Sequence, residues 1–476
     1  MRGQCTWNYH PYTRLDENRR KQLPYICRLA PQAMTCEVEW FDQGASERPH
    51  RLICRLRGRN DAPIVLDLSD ETVIITNLQE KSEYEVYVER SDEPEAKSKL
   101  RLFRTGAIPG RVVNYLHPYD DAFSFSGRYL CSPSIVQTKS GRQIISMDLY
   151  ASRHAQNLTM IFASDDQGRS WNYMCDLFPC FWGKLFMHQD KVYMLSVSAE
   201  YGELQIGYSA DEGKTWTKPV TLFPGSGIRD EKGMHQAPTP VIHHNGRIWS
   251  AVDYGTWEKG GHSSAIVSCD ASGDLLNPAD WTCSEFVPFD QNWPGAVPGT
   301  KWGCLEGNAV VGPDGEVYNM LRYQISYVFR DGQKKGAVTH GKAVLLKIDQ
   351  SNPEEPLSFH RFVDFNGGMS KFVVRHDPIS GKYVSLVNEV IDDTTPAQRN
   401  ILSLAVSEDL INWKIVKKLI DASNYSTDEV GFQYVDFIIS GEDIYYASRT
   451  AFNHANNFHD SNYITFHIEE NFRELI

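Results

Sequence analysis

One short phrase occurs twice and constrains the fold more than any other feature: Ser164-Asp-Asp166-Gln-Gly168-Arg-Ser-Trp171, then Ser209-Ala-Asp211-Glu-Gly213-Lys-Thr-Trp216. The pattern S-x-D-x-G-x-x-W reads as a tight hairpin turn. Asp and Ser side chains hydrogen-bond the turn's own backbone, Gly permits a positive φ, and Trp closes the turn over an apolar neighbour. A weaker copy, Ser407-Glu-Asp409-Leu-Ile-Asn-Trp413, keeps Ser, Asp and Trp without the Gly, and Ser268-Cys-Asp270 is separated from Trp281 by an insertion. A turn that recurs between apolar strands implies a repeated β unit.

Six segments share this grammar, an apolar strand, a polar turn and a second apolar strand. They begin near Ser132, Lys184, Pro238, Glu306, Lys371 and Tyr434, with turns such as His244-Asn-Gly246 and Pro313-Asp-Gly315. The boxes resemble the Asp box of the sialidase superfamily, whose members are β-propellers. The resemblance implies an all-β chain with a six-bladed propeller over 112–476, seven blades being the alternative count. The last strand, Tyr463-Ile-Thr-Phe-His467, and the strand near Arg111-Val-Val-Asn-Tyr115 are expected to share one blade and close the ring.

Ahead of the propeller, residues 24–105 alternate as short strands (Cys36–Trp40, Arg51–Leu56, Pro63–Leu68, Lys81–Val88), the rhythm of a small β-sandwich. The run Ile75 to Val88, with Tyr84, resembles the tyrosine corner of fibronectin type III domains. Residues 1–23 form an N-terminal segment and 106–111 (from Gly106-Ala-Ile-Pro-Gly110) the linker.

A formal charge of -13 argues against nucleic-acid and anionic-membrane partners. The ten cysteines lack metal-ligand spacing, so neither a metal nor a cofactor is expected. The start of the chain carries no apolar signal core, so a cytoplasmic protein is expected, or a secreted one if a leader has been removed.

In a propeller the inner strands converge on the axis, so chemistry belongs where those strands start and in the loops after the second strands. The residues there include Ser132, Glu200 and Asp253 as well as four cations, in a protein that is acidic overall. That combination suggests a pocket for an anionic sugar, since guanidinium groups bind carboxylates bidentately. The sialidase resemblance becomes residue-specific along Cys304-Leu-Glu306 to Arg322 and Gly431-Phe-Gln-Tyr434. It implies that Glu306 is the base for a nucleophilic Tyr434, and that Arg322 holds the substrate carboxylate. A carboxylate within reach of a phenol takes its proton as it attacks.

The pattern departs from the family at two places. Tyr129-Leu-Cys131-Ser132-Pro133 stands where the family has its first Arg, and the loop acid is represented by Asp148 or His154. Catalytic candidates are therefore Glu306, Tyr434, His154 and Asp148. Substrate-binding candidates are Arg322, Lys371, Arg449, His235, Gln236, Lys184, Gln433 and His188. Arg449 is expected to reach inward from the polar stretch 448–463, which folds over the rim.

The expected function is a sialidase-like glycoside hydrolase acting on an acidic oligosaccharide or polysaccharide. The first alternative is a propeller lyase acting at a uronic acid, with His and Tyr as acid and base. The second is a glycan-binding propeller without chemistry.

Overall fold

The computed structural model describes residues 23–43, 45–227, 231–257, 261–297, 303–324, 341–392 and 395–476. The N-terminal segment 1–23, apart from its last residue, lies outside them. The described residues are almost entirely strands joined by turns; their helical content is two short 3-10 turns, Pro278–Asp280 and Phe472–Leu475.

Two sheets make the sandwich. One joins Tyr25–Pro31, Cys36–Phe41 and Thr72–Ile75; the other joins Ile64–Leu68, His50–Leu56, Glu83–Arg90 and Glu93–Lys97, with Arg101–Arg104 also on Glu83–Arg90. Alternation along Glu83–Arg90 buries Tyr84, Val86 and Val88. The Tyr84 hydroxyl turns back to accept the Gln79 N–H at 2.7 Å. Polar contacts key the sandwich to the sheets beyond residue 110. Arg28 Nε donates to the Val113 carbonyl at 2.7 Å, and Glu39 accepts the Tyr173 N–H at 2.9 Å.

Six sheets come next in chain order, each antiparallel and each stepping outward. The first is Tyr129–Gln137, Gln143–Tyr150, Thr159–Ser164 and Asn172–Leu177, and the second Phe181–His188, Lys191–Val197, Leu204–Ser209 and Val220–Phe223. The fourth runs Gly303–Val311, Val317–Gln324, Lys342–Lys347 and Ser358–Asp364, the fifth Val373–Asp377, Lys382–Asn388, Ile401–Ser407 and Trp413–Asp421. In the third, the inner strand is split into Gly233–His235 and Ile242–His244, both paired with Arg247–Thr256. The intervening Gln236-Ala-Pro238-Thr-Pro240 explains the split, because neither proline has an N–H for the ladder. The sixth sheet takes Gly431–Ser440, Asp443–Ala451 and Tyr463–Glu469 from the end of the chain and Arg111–Tyr115 from before the first sheet. Pairing Tyr463 with Tyr115 and Ile464 with Asn114 ties the end of the chain to the strand that precedes the first sheet and so covers the edge of Tyr463–Glu469.

The two boxes share their Ser and Asp bonds and differ at the indole, where only Trp216 Nε1 donates to its Gly carbonyl, at 3.2 Å. Ser164 Oγ and Ser209 Oγ each accept the Gly N–H four residues on at 2.8 Å, at Gly168 (φ 80) and Gly213 (φ 87). Asp166 accepts from Ser170 N–H and Oγ, and Asp211 from Thr215 N–H and Oγ1. Both turns join a third strand to a fourth, at the outside of the sheet, with Trp171 and Trp216 buried beneath.

Candidate active site

Four of the six inner strands open with the same defect. Their pairing slips between Cys131 and Ser134, Phe181 and Lys184, Leu305 and Asn308, and Gln433 and Asp436. In each gap one residue takes a left-handed backbone: Ser132 (φ 48), Trp182 (φ 49), Glu306 (φ 54) and Tyr434 (φ 50). None is glycine, so each costs of order 1 kcal/mol or more in strain, held by the surrounding sheet. A bulge of this kind leaves one residue unpaired and re-aims its side chain. Four equivalent bulges bring four chosen side chains to one end of the channel.

Two of them meet. Tyr434 Oη donates to Glu306 Oε1 at 2.7 Å, and Arg322 donates through one nitrogen to Glu306 Oε2 at 2.6 Å and to Tyr434 Oη at 3.3 Å. Arg322 Nε is fixed by the Met369 carbonyl at 2.9 Å. Burial pushes the Glu306 carboxyl up, but Arg322, His235 and the Tyr434 hydroxyl outweigh it and hold the carboxyl below its ordinary value. Tyr434 is raised, by burial first and by Glu306 second, against the pull of Arg322, Arg399 and Arg449.

Two further guanidiniums flank the phenol. Arg449 lies 5.2 Å and Arg399 5.8 Å from the Tyr434 ring centre. Arg449 donates to the His459 carbonyl at 2.5 Å, and Arg399 donates to the side-chain carbonyl of Gln433. The Nε of each is buried without a hydrogen-bond partner among the described residues. Arg399 is lowered to about 10, by burial and then by the neighbouring Arg322. Three cations thus crowd one phenol and one carboxylate.

Several predicted site residues do other work. Asp148 stands on the second strand opposite Cys131, fully buried, and accepts Thr159 Oγ1 with one oxygen and the Trp182 N–H with the other, at 3.0 Å. Asp253, opposite His235, repeats the device, accepting Ser264 Oγ at 3.0 Å and the Glu306 N–H at 2.8 Å. These carboxylates anchor the backbones of two bulges. Opposite Leu305 and Gln433 the same register carries Arg322 and Arg449 instead. Gln236 belongs with the anchors, donating to the Trp182 and Leu195 carbonyls at 2.8 and 3.1 Å. Lys371 does too, its ammonium on the Val435 carbonyl at 2.9 Å, so the third cation at the phenol is Arg399 and not Lys371.

Lys184 donates to Ser250 Oγ and the Ala251 carbonyl of the next sheet, and burial lowers it to about 7; it joins two blades. His188 is at the far end of its strand, six residues and roughly 20 Å past Trp182, where it pairs with His243 at 3.1 Å. His154 is half-buried in the loop after the second strand, its ring 3.3 Å from the Ser152 carbonyl of that same loop. His235 touches Asp253 Oδ2 at 3.3 Å and packs edge-on to Trp182 at 4.2 Å. Gln433 joins Arg399 to the Phe458 carbonyl, and so fastens the 452–462 stretch to the rim.

Trp182 and Arg399 are the residues that sequence reasoning passes over. Arg399 carried a signal, since it ends the loop after a second strand; Trp182 precedes the Lys184 taken as the strand's start. At the opposite end of the channel a cavity of about 880 Å³ is lined by Ile242, Val310, Val374 and Ile438, with Arg375 and His376. The one phenol on its wall, Tyr383, donates to the Val311 carbonyl at 2.8 Å rather than to a carboxylate, so the chemistry is assigned to the Glu306 end. Among the described residues no cluster of three or more His, Cys, Asp or Glu is arranged to hold a metal ion.

No protein-family model matches the sequence, and a search of curated proteins finds no match. Solved structures do resemble it. An α-L-arabinanase of Penicillium chrysogenum complexed with arabinobiose superposes with a TM-score of 0.52 at 12% identity, over 78% of this chain and 99% of that one. The NanB sialidase of Streptococcus pneumoniae gives 0.51 at 11% identity, over 96% and 94%. The class this defines is the sialidase-like β-propeller fold, shared by glycosidases of different substrates.

Proposed function

We infer that the chain is a glycosidase acting on a sugar that carries a carboxylate, with Tyr434 as nucleophile and Glu306 as its base. The observation that carries this reading is the 2.7 Å bond between Tyr434 Oη and Glu306 Oε1, bridged by Arg322. A phenol is a poor nucleophile at neutral pH, and a carboxylate held ionised beside it accepts the proton as the bond to the anomeric carbon forms. Arg322 stabilises the carboxylate before transfer and the phenolic oxygen during it. Among the described residues no carboxylate is bonded to Arg399 or Arg449, and a substrate carboxylate supplies the counter-charge. The glycosidase neighbours support the reaction class; the acidic substrate rests on the arginines.

Elimination at a uronic acid is the weaker reading, because His154 and His188 are not hydrogen-bonded to the pair. The test is release from a panel of sialosides and of glucuronate-capped oligosaccharides, with the absorbance of an unsaturated uronate followed in parallel. Release without that absorbance is expected. An unsaturated product replaces the hydrolase with a lyase, and binding without turnover on any substrate leaves a glycan-binding module.

A further inference from the structure

Glycosidic bond cleavage to a sugar leaving group needs a proton donor, and neither Asp148 nor His154 is placed as one. Asp148 has both oxygens bonded to the fold, and His154 faces its own loop. Among the described residues Glu200 is a further carboxyl group buried at this mouth. Glu200 lies just beyond the second strand of the second sheet, which ends at Val197, and Val197 pairs with Phe181 directly before the Trp182 bulge. The next few residues therefore turn over the same opening as Glu306 and Tyr434. Glu200 is 7% exposed and accepts the Gln156 side-chain N–H on Oε2 at 2.8 Å. Gln156 comes from the loop of the first sheet that also holds His154, so the two mouth loops meet at this carboxyl. Cys131, on the inner strand that opens beside this loop, pairs with Asp148, and Arg449 lies over the Tyr434 ring on the other side of the same mouth. Tyr201, next in the chain, stacks on His235 and His262 and roofs that side.

We propose that Glu200 is the general acid and base of this site, brought in by the loop of the second sheet in place of a carboxyl on the loop of the first. The proposal rests on the glycosidase reading. In the first step the Glu200 carboxylic acid gives its proton to the glycosidic oxygen as the bond to the anomeric carbon breaks, and the bond pair leaves with the departing sugar. Tyr434 Oη bonds the anomeric carbon and its proton passes to Glu306. In the second step Glu200, now a carboxylate, takes a proton from water as that water attacks the anomeric carbon. Tyr434 leaves and recovers its proton from Glu306. Gln156 is a positioning residue: its N–H favours the ionised carboxylate and tunes when Glu200 carries its proton.

The experiment compares Glu200→Gln with the wild type on two substrates of the same acidic sugar, a 4-nitrophenyl glycoside and a glycoside with a sugar leaving group. A missing general acid matters most where the leaving oxygen is basic, so kcat/KM on the sugar glycoside is expected to fall about 10²- to 10⁴-fold. The 4-nitrophenyl glycoside should lose less than about 10-fold in the same parameter, since nitrophenolate departs without help. The basic limb of the pH profile should also flatten. In Gln156→Leu, with the N–H gone, that limb should move to higher pH while turnover persists. Equal losses on both substrates, or an unmoved basic limb in both variants, overturn the assignment of Glu200. No wild-type turnover on either glycoside overturns the glycosidase reading itself.

Discussion

Replacing Arg399 by Met tests the idea that this mouth is built for an anion. The guanidinium sits at about 10 against an ordinary 12.5, because it is buried and faces Arg322 and Arg449. At about 1.4 kcal/mol per factor of ten, its charged form is destabilised by ~3 kcal/mol in the free protein. The group is protonated at pH 7, below both values, so that cost is fully present there and disappears only as pH climbs from 10 towards 12.5. Arg399→Met removes the cost and loses the bond to Gln433 and the contact with the Phe458 ring, which together contribute about 1–2 kcal/mol. The free variant should therefore be as stable as the wild type or up to ~2 kcal/mol more so in urea unfolding at pH 7. Affinity for an acidic sugar, measured by calorimetry on the Tyr434→Phe background so that turnover is slowed, should fall about 10- to 100-fold. That is the worth of one charge-assisted hydrogen bond, about 1.5–3 kcal/mol. A variant that loses more than about 2 kcal/mol of stability and binds acidic sugars as before would refute the reasoning and make Arg399 a structural strut.

Single contacts carry the other expectations. Tyr434→Phe and Glu306→Gln should each lower kcat/KM by about 10²- to 10⁴-fold, and the double variant should be no worse than the poorer single one, because the two act as a unit; additive losses would break the pairing. Burial holds Lys184 at about 7 rather than 10.5, so the unfolded chain binds its proton more tightly and stability should rise with pH across that window. Lys184→Met should flatten that rise, whatever its effect on absolute stability. Asp211→Ala removes three hydrogen bonds at the second box and should cost about 1–3 kcal/mol in unfolding experiments, with kcat per folded molecule unchanged. Trp182→Ala should raise KM about 10-fold with little change in kcat if the indole packs against a bound sugar ring; an unchanged KM would leave it a purely structural bulge.

Much of the architecture was legible because its signals are local. The Ser–Asp–Gly–Trp boxes close within eight residues, so their bonds depend on near neighbours and survive translation into structure unchanged. The strand rhythm of 24–105 and the shared sheet of Tyr463–Glu469 with Arg111–Tyr115 came from alternation and from the need to cover an edge. The split third inner strand has its signal in Pro238 and Pro240, which lack the donors a strand needs, although the repeat grammar alone predicts one unbroken strand there. Proximity was legible where a motif spans one hairpin, as Glu306 and Arg322 do across one antiparallel pair, and in the matching place of Tyr434 at the start of the last inner strand.

The rest depended on contacts between sheets far apart in sequence. Asp148 has the residue type of a loop acid, and only its bond to the Trp182 N–H shows it to be an anchor. Lys371 is the cation that the sequence puts forward and Arg399 one it passes over, and only contacts across sheets, Lys371 on the Val435 carbonyl and Arg399 on the Gln433 side chain, separate them. By itself, then, the sequence determined an all-β repeat, its boxes and the types of residue around an axis. The tertiary structure alone decided which of those residues face one another. The physical reason is that turn chemistry is satisfied within a few residues, whereas the orientation of a side chain at the channel mouth depends on a bulge, its left-handed backbone and an anchoring carboxylate from the preceding sheet.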